Sequence, residues 1–365
     1  MPLPHPILGE RIARHGLATR PAADPVAAAA LVCGIQAQDG PASRLGVRAR
    51  CAAAADQDVL DAIAERRIVR TWLMRNTIHL VPAADARWMT ALLGSMIRRR
   101  FETVRWPELG LTPSLLAAAA DAVPGVLAGR ALTRHDVAAG LVERGVPVPT
   151  DGQAPTHLLV YLSTLGLTCR GVDRGRDATF VLLDDWLPDA PAGPRGDDAL
   201  AELARRYFAA FSPATAADFT TWSGLPSSRA IGLIRDELSQ VDVLGRPGFR
   251  LGAVEPGRGV RLLPAFDNYL VGYARRGFID DARRGEVYVG GMIRPTVLSD
   301  GRVVGRWRLA KGAVEITPFE TFSAHTKRAI EAELADIEGF LTAPGSTDGP
   351  ASPDPGSGRS RRSGR

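Results

Sequence analysis

Lysine is scarce in this sequence: of 45 basic residues only Lys311 and Lys327 are lysines, and the rest are arginines. The amino-terminal part therefore offers no side-chain amine for Schiff-base chemistry. Cysteine is scarce too, at Cys33, Cys51 and Cys169 alone. Without a Cys-x-x-Cys pair, neither a thiolate zinc site nor a disulfide framework is indicated. No apolar run reaches the roughly 18 residues that a membrane span needs. The start, MPLPHPILGERIARHG, carries charge too early for a secretory signal, so a cytosolic protein is expected. None of the six histidines (His5, His15, His79, His135, His157, His325) stands at metal-ligand spacing from another. A phosphate-binding glycine loop and a nucleophile elbow are missing as well. Neither metal nor cofactor is expected.

What is present suits a soluble chain of two or three cores: 365 residues, 45% hydrophobic and 23% charged. The formal net charge is +5, which favours a polyanionic partner. Arginine matches phosphate and guanine with bidentate hydrogen bonds. GC-rich coding produces the same excess, so arginine alone decides nothing.

Repetition is the clearest signal of organisation. Three helical patterns followed by a hairpin, the order of a winged helix, can be read three times. The first copy has helices near 24–35, 41–52 and 57–66, then RTWLMRNTIHLV (70–81) with a tight turn at Arg75-Asn76. The second has helices at 114–129, 134–145 and 154–166, with strands 167–170 and 179–184. The third has helices at 199–211, 215–224 and 227–238, with strands 240–244 and 249–254. Thr133 with Asp136 and the Pro213–Thr215 stretch mark helix starts. A long helix over 84–100, with an apolar stripe of Trp88, Leu92 and Met96, separates the first two copies. Strands follow at 261–266, 286–291, 294–298, 302–309 and 313–319, then a closing helix lined by Phe322, Ile330, Leu334 and Ile337. The fold class expected is α+β: three tandem winged-helix units (1–105, 106–193, 194–342), the last carrying the β-rich region, and a disordered Pro/Gly/Ser tail (343–365).

One short segment stands out, Gly34-Ile35-Gln36-Ala37-Gln38-Asp39-Gly40-Pro41. On a helix Gln36 and Gln38 would point about 200° apart. On extended chain, residues two apart share a side. The flanking glycines and proline favour the extended form, in which both carboxamides reach one point. A plain inter-helix loop, with Asp39 capping the next helix, explains the same residues more simply.

Taken with RTWLMRNTIHLVP (70–82), LLPAFDNYLVGYARR (262–276) and RPTVLSDGRVVGRWR (294–308), this segment resembles the AlkZ-like winged-helix DNA glycosylases. The four stretches span most of the chain in the family's order. The resemblance implies three winged helices in a C shape around double-stranded DNA, and a Gln-x-Gln site at Gln36 and Gln38. A sister branch carries Asp at the second position, so Gln38 places this chain with the crosslink-processing, self-resistance type. The implied activity is monofunctional hydrolysis of the N-glycosidic bond of alkylated purines. Such a base is already a good leaving group, so two amides that hold a water suffice, and no strong base is needed. Asp39 or Asp267 would help electrostatically, and His79 and Asn268 would stand at the site. Arg302, Arg306 and Arg308 alternate on one strand face, and Ser299-Asp300-Gly301 makes a turn that could reach into a groove; with Arg75 they are the expected DNA contacts. Trp72, Tyr269 and Trp307 either stack on bases or fill the core. Bulky adducts call for an open cleft rather than full base flipping. A monomer without membrane contact is expected. Two rivals share these residues: a non-catalytic winged-helix transcription regulator, and a protein that sequesters the alkylating compound.

Overall fold

Three times along the chain a helix, a two-residue strand, two helices and an antiparallel hairpin follow one another. The computed structural model describes residues 3–310 and 313–342; the tail expected from Ala343 lies outside the described residues. The first run is helix Pro25–Leu31, β1 (Ile35–Gln36), helices Gly40–Arg48 and Asp56–Ala64, then β2 (Ile68–Trp72) and β3 (Ile78–Pro82). The second is helix Pro113–Leu127, β4 (Leu132–Thr133), helices Arg134–Glu143 and Ala154–Thr164, then β5 (Thr168–Arg170) and β6 (Thr179–Leu182). The third is helix Gly196–Phe211, β7 (Ala214–Thr215), helices Ala216–Ser223 and Ser227–Leu233, then β8 (Leu238–Asp242) and β9 (Pro247–Leu251). In every run the short strand pairs antiparallel with the second strand of the hairpin. Two residues carry no readable period, which is why these strands escape the sequence.

Capping sets the helix starts. Asp24 accepts from the Ala27 amide and Asp39 from the Ala42 amide, while Thr133/Asp136 and Thr215/Asp218 form reciprocal capping boxes. The turn of the first hairpin closes at Arg75 and Asn76, both left-handed with φ of 55° and 61°. This is the geometry that matches strand twist in a tight hairpin.

The first two runs are not separate layers. Their strands form one six-stranded sheet in the order β1-β3-β2-β5-β6-β4, joined where Arg70 faces Arg170. The sheet thus crosses the boundary expected near residue 105, whereas the third run keeps its own β7-β9-β8 sheet. Helix Ala83–Glu102 lies between these groups and buries Trp88, Met89, Leu93 and Ile97. The expected stripe is one position out, since Leu92 and Met96 are only half-buried. Gly94 lets this helix cross helix Ala154–Thr164 closely: a Cβ there would lie 2.1 Å from the Thr164 carbonyl oxygen. In an exposed helix Gly→Ala gains up to about 1 kcal/mol. Here Gly94→Ala should instead lower stability by about 1–3 kcal/mol, read as a lower denaturant midpoint at an unchanged slope.

The β-rich end is a four-stranded antiparallel sheet of β10 (Val260–Leu263), β13 (Thr296–Ser299), β14 (Arg302–Ala310) and β15 (Ala313–Pro318). A separate hairpin pairs β11 (Tyr288–Val289) with β12 (Met292–Ile293). The strand expected over 286–291 is therefore corrected. Arg284–Val287 is a helical turn, and the chain reverses at Gly290-Gly291, where φ is 55° and 88°. The closing helix Ala324–Thr342 buries Ile330, Ile337 and Phe340, and Phe322 precedes it. Glu333 and Asp336 on this helix pair with Arg48 at 2.6 and 2.5 Å, locking it to the first run. The fold is α+β. Among the described residues, no helix is long and apolar enough to cross a membrane.

Candidate active site

Strand β1 forms one edge of the six-stranded sheet and carries Gln36 opposite His79 of β3. The Ala37 amide donates to the Ile78 carbonyl at 2.7 Å, so that pair is a hydrogen-bonded rung. Gln36 and His79 fall between rungs, where facing side chains approach most closely. Gln36 is 5% exposed, and its Oε1 is buried with no hydrogen-bond partner among the described residues. Gln38, two residues on, is exposed, and its Oε1 accepts from the Ile78 amide at 3.4 Å. One glutamine is buried and the other exposed, both against the start of β3.

His79 is buried, with Nδ1 2.9 Å from the Thr77 carbonyl. A carbonyl only accepts, so Nδ1 carries the proton and Nε2 keeps its lone pair. Burial first, then the charge of Arg75, pushes the His79 pKa down to about 3 against the pull of the Thr77 carbonyl. The ring is neutral at physiological pH. Its folded-state pKa lies below the unfolded value of about 6.5, so on acidification the unfolded chain binds this proton first. Stability is fully present above about pH 6.5 and is lost as pH falls toward about 3. His15, also buried and held neutral beside Arg50 and Arg11, acts in the same direction. Denaturant unfolding across this range should show the loss, and His79→Asn should flatten part of it. The rate of catalysis should show no His79 inflection between about pH 5.5 and 8.

Asn268 meets β1 from the far side: its Oδ1 accepts from the Gln36 amide at 3.3 Å, and its Nδ2 donates to the Gly34 and Val32 carbonyls at 2.7 and 3.3 Å. Asp267 does not serve the site as an electrostatic helper, and that expectation is corrected. Arg50 holds both its oxygens, at 2.8 and 2.9 Å, inside a pair with no exposed side-chain surface. Its Oδ1 also caps Asn268–Val271 through the Tyr269 amide. Asp39 is the cap of helix Gly40–Arg48.

The expected DNA contacts fall into two groups. The Asp300-Gly301 turn does not project. It packs on helix His5–Arg14, where a Cβ on Gly301 would lie 2.7 Å from Leu8, and Tyr269 donates to the Gly301 carbonyl at 2.8 Å. A groove-entering turn is therefore ruled out there. Arg302, Arg306 and Arg308 all lie on β14, but its pairing with β13 shifts register at Val304, so the single shared face is corrected: Arg302 does not face the same way as Arg306 and Arg308. Arg308, however, pairs with Glu315 at 2.6 Å and Arg306 faces Glu286 at 3.5 Å. Arg302 donates to the Leu3 carbonyl and lines a cavity of about 980 Å³ with Arg275, Arg276, Arg283 and Arg284. Arg75 donates to the Val271 carbonyl at 3.0 Å. Burial, then the charge of Arg276, lowers its pKa. Among the described residues neither Arg75 nor Arg276 has a carboxylate in ion-pair contact. Trp72, Tyr269 and Trp307 are core residues: Trp72 stacks on Phe180, and the Trp307 indole donates to the Leu263 carbonyl at 2.8 Å.

A profile described as DNA glycosylase AlkZ-like matches residues 29–340. The chain belongs to the AlkZ-like DNA glycosylase family. Membership makes it an enzyme that hydrolyses N-glycosyl bonds in DNA. It is 30% identical over 329 residues to the interstrand DNA cross-link repair glycosylase of Streptomyces sahachiroi, covering 84% of this chain and 88% of that protein. The solved structure of the Streptomyces sahachiroi DNA glycosylase AlkZ superposes with a TM-score of 0.80 at 28% identity, over 92% of this chain and 96% of that one. In this AlkZ-like chain, sequence reasoning missed Arg50 and Arg276. Arg50 gives no local signal, because its partner lies 217 residues away. Arg276 stands inside the family-like stretch 262–276 and could have been found there as one of two unspaced arginines after Tyr273.

Proposed function

We propose that this enzyme removes N7-alkylated purines from double-stranded DNA, including bulky adducts or interstrand crosslinks of the kind named for its Streptomyces relative, in repair or self-resistance. The observation that carries the reading is the Gln36 Oε1, buried and without a partner, on the residue directly across from a neutral His79. An unmet buried acceptor is costly, about 1–3 kcal/mol, and a bound water removes that cost. Gln36 Oε1 and His79 Nε2 act as two acceptors for the protons of one water. Gln38, its oxygen already engaged, turns its NH₂ toward the water or the sugar. A lone pair then faces the anomeric carbon.

The bond electrons between C1′ and N9 go to the purine and cancel its positive charge, so the base departs neutral. The sugar becomes oxocarbenium-like and takes the water, whose proton passes to solvent. A histidine with a pKa of about 3 is too weak a base to drive attack on an intact nucleotide. That weakness selects for lesions that are already activated.

The three helix–strand–helix–helix–hairpin runs serve as winged-helix modules on the duplex. Arg75 and Arg276, neither of them paired with a carboxylate among the described residues, supply phosphate contact beside the motif, and the arginine-lined cavity extends that surface. A duplex with a single N7-methylguanine tests the reading. The expected product is an abasic site that breaks in hot alkali; an intact strand with the base retained would overturn it.

A further inference from the structure

We infer that Asn268 is a positioning residue, whose carboxamide replaces a missing neighbour strand on β1 and thereby fixes where Gln36 points; this rests on the proposed role of Gln36. An edge strand normally leaves the amides and carbonyls on its open side unpaired. The Gln36 amide, and the Gly34 carbonyl just before β1, lie on that open side, because the Ala37 amide points the other way, to Ile78. A carboxamide offers one acceptor oxygen and two N–H donors. Asn268 uses all of them here, the oxygen on the Gln36 amide and the two donors on the Gly34 and Val32 carbonyls. It is 1% exposed, so water does not compete.

The backbone it holds needs holding. Cys33 and Gly34 are consecutive left-handed residues, with φ of 54° and 98°. A non-glycine residue in that region is strained unless its surroundings fix it. Gly34 has no alternative, since a Cβ there would stand 2.8 Å from Val81. The clamp is itself anchored. Asp267, one residue before, is tied by Arg50 at 2.8 and 2.9 Å, and Arg50 also donates to the Gly46 carbonyl at 2.9 Å. Gly46 lies in the helix that follows the glutamine motif, so the clamp and the motif share one support. The site is therefore complete only when the carboxy-terminal region has docked on the first run.

The test compares Asn268→Asp, Asn268→Ala and Gln36→Ala in the full chain, by single-turnover release of N7-methylguanine from a duplex and by duplex Kd. Aspartate keeps the size and the acceptor but cannot donate to the two carbonyls when ionised. Its rate at saturating enzyme should fall about 100-fold, the scale of an ångström-level misplacement, while duplex Kd stays at the wild-type value. Burial against two carbonyl oxygens and next to the Asp267 carboxylate raises this carboxyl above its usual pKa of about 3.9, so lowering the pH from about 8 to 5.5 favours its protonated form and should restore part of the rate in this variant alone. The double variant Gln36→Ala/Asn268→Asp should be no slower than Gln36→Ala, because a positioning residue has nothing left to position. Should Asn268→Ala fail to fold, the aspartate series and its pH recovery still decide the matter. A wild-type rate in Asn268→Asp with an inactive Gln36→Ala would overturn the positioning role alone. A wild-type rate in Gln36→Ala would overturn the site beneath it. Additive losses in the double variant would reduce Asn268 to a structural support.

Discussion

Gln36→Ala is expected to slow release of N7-methylguanine about 100- to 1000-fold at saturating enzyme, the scale seen when one preorganised hydrogen-bonding group is removed from a reaction centre. Duplex affinity should not change, because Gln36 is 5% exposed and the backbone contacts are proposed for Arg75 and Arg276 instead. The loss comes from a single buried oxygen that no other described residue uses. Deleting it breaks no hydrogen bond to a described residue, so the stability of the folded state should change little. An activity loss with retained stability distinguishes a reaction group from a packing group. Gln38→Ala should lose less, since Gln38 is exposed and its oxygen is already occupied by the Ile78 amide. Unchanged release in Gln38→Ala would exclude it from the mechanism and leave Gln36 and His79 as the water's holders.

The second large effect is on stability. Arg50 and Asp267 form a doubly bonded ion pair whose side chains are both 0% exposed. Removing one partner strands a buried charge, which costs about 3–5 kcal/mol. Arg50→Met and Asp267→Leu should each lower the unfolding free energy by that amount. The double variant Arg50→Met/Asp267→Leu should recover most of it, because an apolar pair of similar volume needs no desolvation of charge. Activity should not recover with stability. In the double variant the short helix Asn268–Val271 still lacks its Asp267 cap, and with it the placement of Asn268 against β1. A double variant that regains full activity would show that the pair serves folding alone.

How far these features could be read from the sequence depends on range. The three helix-and-hairpin runs were legible because apolar period, capping residues and turn chemistry are local. Thr133 with Asp136 and the Arg75-Asn76 turn behave as their residue types dictate. The two-residue strands were not legible, although β1 carries Gln36, since pairing with β3 is set by a partner more than forty positions away. The β11–β12 hairpin was missed because Gly290-Gly291 sits inside a run that otherwise alternates like one strand. At the site, Gln36, Gln38, His79 and Asn268 are found at one strand edge. Asp267 is misread because burial of its Arg50 partner leaves no trace in spacing. The arginines of β14 are split by the register shift at Val304, and two of them face acidic residues, Glu315 and Glu286; neither a bulge nor a charge partner across a sheet can be read from one strand.

One measurement addresses the water directly: a crystal structure of the enzyme on a duplex carrying an uncleavable abasic-site analogue with a cationic sugar nitrogen. It should show an ordered water accepted by Gln36 Oε1 and His79 Nε2, with its free lone pair directed at the position of the anomeric carbon. A duplex seated elsewhere, or a Gln36 oxygen filled by a protein group while the sugar stands out of its reach, would contradict this account.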